Sequence, residues 1–163
     1  MDFEGYKHKD DIEEELHKLI PDTLTEKWAE NAVGSARWKQ DEAALTKAIS
    51  EPVWDFLNRG GKRWRPVLMM VCAEAVGGNA AKVLPFTPIP ELIHNGTLIV
   101  DDIEDNSDLR RGKPVLHKIF GVDIAVNAGN TIYFLPYILI RDSSLSAETK
   151  SKAYEIISTQ LLK

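Results

Sequence analysis

Cysteine is nearly absent from this chain, and Cys72 is the single instance. One thiol cannot build a disulfide framework or a thiolate metal site. Positive charge is not in excess either: the formal net charge is −5, which argues against a general nucleic-acid binder. The chain also lacks an uninterrupted apolar segment long enough to span a bilayer. The longest candidate, Ile124 to Ile140, contains Asn127, Gly129, Asn130 and Pro136 and is short for a span, so it is expected to be a central buried helix. The opening Met1-Asp2-Phe3-Glu4-Gly5 is acidic where a signal peptide would be basic, which makes the cytoplasm the expected compartment. No internal repeat, low-complexity linker or convincing strand pair is visible. What remains is 44% hydrophobic and 28% charged over 163 residues, enough for one buried core and one domain spanning 1–163.

The apolar periodicity is helical. Ile12, Leu16, Leu19 and Ile20 share one face of a helix over about 10–20, stopped by Pro21. Further helices are expected at about 23–33, 41–57, 64–76, 89–105, 122–140 and 147–162. Pro85, Pro88 and Pro90 mark a bend or a helix start. Short connections between helices predict an antiparallel bundle. Trp28, Trp38 and Trp54 lie in amphipathic surroundings and are expected to anchor helix packing, with a docking surface for a second subunit as the alternative.

The densest chemistry lies in Asp101-Asp102-Ile103-Glu104-Asp105-Asn106-Ser107-Asp108-Leu109-Arg110-Arg111-Gly112-Lys113-Pro114. On a helix, Asp101 and Asp105 stand at i and i+4, so their carboxylates share a face and repel one another. A cation relieves that repulsion. Mg²⁺ suits the site because it takes hard oxygen ligands, keeps waters, and is held by one or two carboxylates together with substrate phosphates. Arg110 and Arg111 add forked donors for phosphate oxygens. A solvated acidic helix end is the plainer reading. Against it stands the preceding segment Leu92 to Val100, apolar enough to be buried, which would place the acids at the mouth of a cavity.

A second cluster, Gly60-Gly61-Lys62-Arg63-Trp64-Arg65-Pro66, opens another apolar stretch. Its glycines permit close backbone approach to an anion, and Pro66 suits a first helical turn. Lys62 and Arg65 then sit near a helix N-terminus, where free N–H groups favour phosphate. A basic surface loop, or a nucleic-acid patch with Trp64 as a stacking ring, fits the same heptad.

Together the two clusters resemble the trans-isoprenyl diphosphate synthases, the polyprenyl synthetase family. That family carries G-G-K-R-x-R-P, then D-D-x-x-D followed by R-R-G-K-P. Both are matched here without substitution, His94 lies seven residues before Asp101, and Gly121 to Asn130 looks like the family's next helix. Terpene cyclases share D-D-x-x-D but not the glycine-rich heptad. The wording D-D-I-E-D-N-S-x-L-R-R-G is most similar to geranylgeranyl diphosphate synthases.

The resemblance implies an all-α antiparallel helix bundle of the isoprenoid (terpenoid) synthase type, truncated, since only the family's N-terminal half is matched. It implies a Mg²⁺-dependent prenyltransferase of isoprenoid biosynthesis that condenses an allylic diphosphate with isopentenyl diphosphate, giving geranylgeranyl or longer polyprenyl diphosphate. Asp101 and Asp105 would be the catalytic metal ligands, with Asp102 in support. Arg110 would contact the allylic diphosphate. Gly61, Lys62, Arg65, His94 and Arg111 would hold isopentenyl diphosphate. Gly96 and Thr97, five and four positions before Asp101, would set the floor of the chain-length pocket, and neither is aromatic. Without the family, His94 reads equally as a hydrogen-bonded histidine on a mostly buried helix. The family's second aspartate-rich motif is not found in this sequence, so the site is expected to be incomplete in this chain. The alternative is an inactive diphosphate-binding or regulatory subunit that associates with a full-length partner. Exposed core faces predict a homodimer or higher oligomer.

Overall fold

The computed structural model describes residues 8–162; Met1–Gly5, on which the expected compartment rests, lie outside the described residues, as does Lys163. The order of elements follows the apolar periodicity. Helix α1 (Lys9–Leu19) buries Ile12, Leu16 and Leu19, and α2 (Glu26–Val33) is capped by the Thr25 hydroxyl, which accepts from the Trp28 N–H. The expected helix over 41–57 is present as a continuous helical run over 42–57 with a π-type turn inside it. It comprises α3 (Glu42–Leu45), a widened π-type turn Thr46–Ser50 and α4 (Glu51–Leu57). Pro52 lacks an N–H, and its ring crowds the carbonyl of the preceding turn, which accounts for the widening.

Next come α5 (Trp64–Ala75), the short α6 (Ala80–Val83) and a 3₁₀ turn Leu84–Phe86. The long α7 (Pro88–Glu104) starts on the proline signal seen in the sequence. Strands β1 (Leu109–Arg110) and β2 (Lys113–Pro114) pair antiparallel, with Leu109 opposite Pro114 and Arg110 opposite Lys113. This pairing was not expected from the sequence, because two-residue strands have no alternation to read. After it follow α8 (Leu116–Phe120), α9 (Val122–Phe134), α10 (Tyr137–Asp142) and α11 (Ala147–Leu161). The single buried helix expected through Ile140 is therefore two helices, parted at Leu135-Pro136.

Helix α7 is the spine of the core. It packs on α9, and α5, α1 and α8 also lie against it. The tightest point of that core is the crossing of Gly96 with Gly129. A Cβ on Gly96 would lie 2.9 Å from the Gly129 carbonyl oxygen, so only hydrogen fits. Ile99, Ala125, Ala128 and Ile132 fill the seam on either side. Trp54 is buried and its indole N–H donates to the Ile20 carbonyl at 2.9 Å; Trp28 does the same to Leu19 at 2.9 Å. Trp38 departs from the expectation: it is 70% exposed and anchors no helix, since it falls in the bend between α2 and α3.

Candidate functional site

The N-terminal wall is the loop from α4 to α5. Gly60 and Gly61 have φ of 98° and 151°, conformations that side-chain-bearing residues rarely adopt, and Arg63 follows at φ 47°. A left-handed arginine is unusual, and its side chain explains it. Arg63 turns inward, with Nε donating to Glu13 at 2.7 Å, Nη1 to Glu91 at 3.0 Å and Nη2 to the Leu57 carbonyl at 3.2 Å. Burial opposes its charge, but Glu13 and Glu91 overcome that and raise its pKa. Lys62 stays at the surface, and Arg65 lies over the Trp64 ring at 4.3 Å. The indole face that the nucleic-acid reading needed is thus occupied by the chain's own guanidinium.

The opposite wall is built where α7 ends. Asp105 caps the helix, Asn106 turns left-handed at φ 49°, and the chain enters the β1–β2 hairpin. Its two turn residues, Arg111 at φ 53° and Gly112 at φ 76°, both have positive φ, as a two-residue hairpin turn with the right-handed twist requires. Arg110 is on the strand and Arg111 in the turn, so these neighbours point into different surroundings. The Arg59 Nη1 donates to the Pro114 carbonyl at 2.7 Å, fastening the hairpin to the end of α4.

Arg110 closes on the acids. It donates to Asp102 at 2.7 and 3.0 Å and to Asp101 at 3.1 Å. The hydrogen bond to Asp102 is the main reason that its pKa is raised. Asp102 is buried at 1% exposure, whereas Asp101, Glu104 and Asp105 are open to solvent. Asp102 is therefore a structural counter-ion here, a role that a reading of helical spacing does not reveal.

Arg111 instead reaches toward the glycine loop. Its Nη1 donates to the Gly60 carbonyl, its Nη2 to Asn95 Oδ1 at 3.4 Å, and its guanidinium lies 5.5 Å from the Phe56 ring centroid. The Gly61 Cβ position would be 3.5 Å from that same Nη1. Burial first, and then the neighbouring arginines, lower the Arg111 pKa. His94 is lowered too, by burial and then by Arg65, with Arg111 and Arg110 adding to the effect. The two motifs, distant in sequence, thus meet around Arg111, with Gly61, Arg65 and His94 gathered near it.

A groove of about 450 Å³ runs from the acidic end of α7 along α9, lined by Thr97, Val100, Asp101, Tyr133 and Phe134. That is within the size range of small-molecule sites, about 300–1,000 Å³. Thr97 is in it. Gly96 is not among its lining residues; it is buried at the α9 crossing, where close backbone approach accounts for it.

The donors present suit Mg²⁺. Asp101, on the wall of the groove, and Asp105, one turn on, carry exposed carboxylates that could serve as hard-oxygen ligands, and such an ion takes a pair of carboxylates with phosphates and water completing the shell. Among the described residues no group of three or more His, Cys, Asp or Glu is placed to hold a metal. Cys72 is exposed and remote in kind from such a site. Among the described residues no helix is long and apolar enough to cross a membrane.

Comparisons with known proteins find relatives of this chain. A geranylgeranyl diphosphate synthase of Methanosarcina mazei is 43% identical over 102 residues, 63% of this chain and 26% of that protein. A chloroplastic geranylgeranyl pyrophosphate synthase of Capsicum annuum is 45% identical over 97 residues, again 26% of its length. The chain thus matches about a quarter of the length of these relatives. Among solved structures, the geranylgeranyl pyrophosphate synthetase of Pyrococcus horikoshii superposes with a TM-score of 0.74 at 29% identity, covering 92% of this chain and 39% of that one. That superposition identifies the bundle as the isoprenoid synthase fold. The sequence profile described as polyprenyl synthetase matches residues 46–163, which include both the glycine-rich loop and the acidic end of α7, and the chain belongs to that family.

Proposed function

We propose that this chain carries the diphosphate-binding face of a Mg²⁺-dependent trans-prenyltransferase, which joins an allylic diphosphate to isopentenyl diphosphate and yields geranylgeranyl or longer polyprenyl diphosphate. One observation carries the reading: Arg111 of the second motif reaches the Gly60 carbonyl of the first, near His94, while its sequence neighbour Arg110 pairs with the acids Asp101 and Asp102. Two anion sites of different equipment suit two diphosphates of different fate. One must depart and the other must stay.

Mg²⁺ bound by Asp101 and Asp105 would supply Lewis-acid neutralisation of the departing diphosphate. Arg110, already at the acidic wall, would exchange a carboxylate contact for a phosphate oxygen of the allylic substrate. Gly61, Lys62, Arg65, His94 and Arg111 would hold the retained diphosphate by charge and hydrogen bonding, with no metal required. The α7–α9 groove, with Thr97 rather than Gly96 on its wall, would take the growing hydrocarbon and exclude water from the reacting carbons. Association with a second chain fits the exposed Val33 and Phe134, which border an apolar hollow between α2 and α9.

The second reading, a diphosphate-binding subunit without catalysis of its own, is favoured by the pairing of Asp101 and Asp102 with Arg110 and by the one-sided metal donor set. Incubation of the chain with Mg²⁺, farnesyl diphosphate and labelled isopentenyl diphosphate separates the two. Elongated product that vanishes in Asp101→Ala supports the enzyme. Binding of both diphosphates by a folded sample without turnover supports the subunit. A folded sample that binds neither sinks both.

A further inference from the structure

Arg111 is an exposed residue on a two-residue turn, and a long side chain in that position ordinarily samples many rotamers. What restrains it is a line of polar groups that begins far away in sequence at half-buried Glu13 and continues through buried side chains. Glu13 on α1 accepts from Arg63, which is 5% exposed; Arg63 donates at 3.0 Å to Glu91, also 5% exposed. Glu91 Oε1 accepts in turn from Asn95 Nδ2 at 3.1 Å, and the Glu91 carbonyl accepts from the same amide nitrogen at 2.7 Å. Those two acceptors define which side of the Asn95 amide is nitrogen. Its Oδ1 is therefore turned toward Arg111 Nη2, 3.4 Å away.

Asn95 is wholly buried on α7, one residue past His94 and directly before Gly96. The next residue, Gly96, packs directly on α9, where a Cβ would lie 2.9 Å from the Gly129 carbonyl oxygen, so Asn95 stands at a close helix crossing. We propose that Asn95, oriented by Glu91 and Arg63, is a positioning residue that aims the Arg111 guanidinium at the diphosphate held by the glycine-rich loop. This rests on the reading of Arg111 as a diphosphate contact. It adds that α1, through Glu13, the α4–α5 loop, through Arg63, and α7, through Glu91 and Asn95, set the direction of a side chain none of them carries. It also gives Arg63, the inward-facing member of the basic heptad, a task distinct from anion contact.

A double-mutant cycle with inorganic pyrophosphate, titrated calorimetrically in the presence of a chelator, tests this. Asn95→Ala is expected to weaken pyrophosphate binding by about five- to tenfold in the otherwise unchanged chain and to have no further effect in an Arg111→Ala background. Equal weakening in both backgrounds, or none in either, overturns the inference, because a merely structural asparagine would not depend on Arg111. Ligand-free NMR gives an independent arm. The Arg111 side-chain Nε–H resonance, assigned by its loss in Arg111→Ala, is expected to shift and exchange faster in Asn95→Ala; an unmoved resonance overturns the inference. If that resonance moves while the unmodified chain takes up no pyrophosphate, the positioning stands and the diphosphate reading fails. Should Asn95→Ala not fold, Glu91→Gln, which loosens the hold on the amide without opening a cavity, carries the same cycle.

Discussion

Arg110 and Arg111 are adjacent, chemically identical, and meet opposite surroundings. Arg110 sits among carboxylates and its charge is matched within the chain by Asp101 and Asp102. Arg111 has no carboxylate in direct contact: it donates to Gly60 and Asn95, and burial first, with Arg63, Arg110 and Arg59 against the more distant Glu91, lowers its pKa. A ligand anion would have to compete for the first and is invited by the second. The difference teaches how one short hairpin faces two surroundings: a positive φ at Arg111 swings its side chain away from the strand direction that Arg110 follows.

The largest expected effect comes from breaking the support of the Arg111 side. Arg63→Met leaves Glu91 buried without its cation, and loss of one partner of a buried pair costs about 3–5 kcal/mol. Urea unfolding measures it, and a cost below about 1 kcal/mol would show that the buried pair is not what orders the loop. On the other side, Arg110→Ala leaves buried Asp102 without its charged donors, for a loss of about 1.5–3 kcal/mol. The same variant frees Asp101, so Mg²⁺ is expected to raise its Tm more than it raises that of the unmodified chain. An equal Mg²⁺ response in both would break the contrast.

The smallest effect is one of pH. The His94 pKa is lowered from 6.5 by burial and by Arg65, so the folded chain binds fewer protons than the unfolded one just below that value. Stability therefore rises with pH through that window and is lost as pH falls through 6.5 toward the folded value. His94→Gln is expected to flatten the slope, read as Tm against pH. Saturating pyrophosphate is expected to reverse its sign in the unmodified chain, because a bound anion favours the protonated ring.

Much of the fold was legible in the sequence. The helices over 10–20, 64–76 and 89–105 lie within a residue of α1, α5 and α7, because each has strong periodicity and a proline or glycine at one end. The π-type turn at Thr46–Ser50, inside the expected helix, and the break at Leu135-Pro136 were not visible in the sequence for a common reason: a proline inside an apolar run widens, bends or ends a helix, and neighbours decide which. Trp38 was misread because an amphipathic neighbourhood does not reveal that the chain bends there. In the candidate site, the membership of the two motifs was legible, while the inward turn of Arg63 and the burial of Asp102 were not. A lysine or arginine in a basic run carries no mark of the direction its side chain takes.

The sequence by itself determined the chemistry available here: carboxylates at helical spacing, forked donors beside them, paired glycines that open the basic heptad, and apolar stripes that make helices bury one face. Only the tertiary structure decided which charges cancel and which remain for a ligand. That choice depends on the Gly96–Gly129 approach, on the positive φ of Arg63 and Arg111, and on Glu13 and Glu91 arriving from separate helices. Coulomb energy in a low-dielectric interior depends on distance, and sequence separation does not set distance.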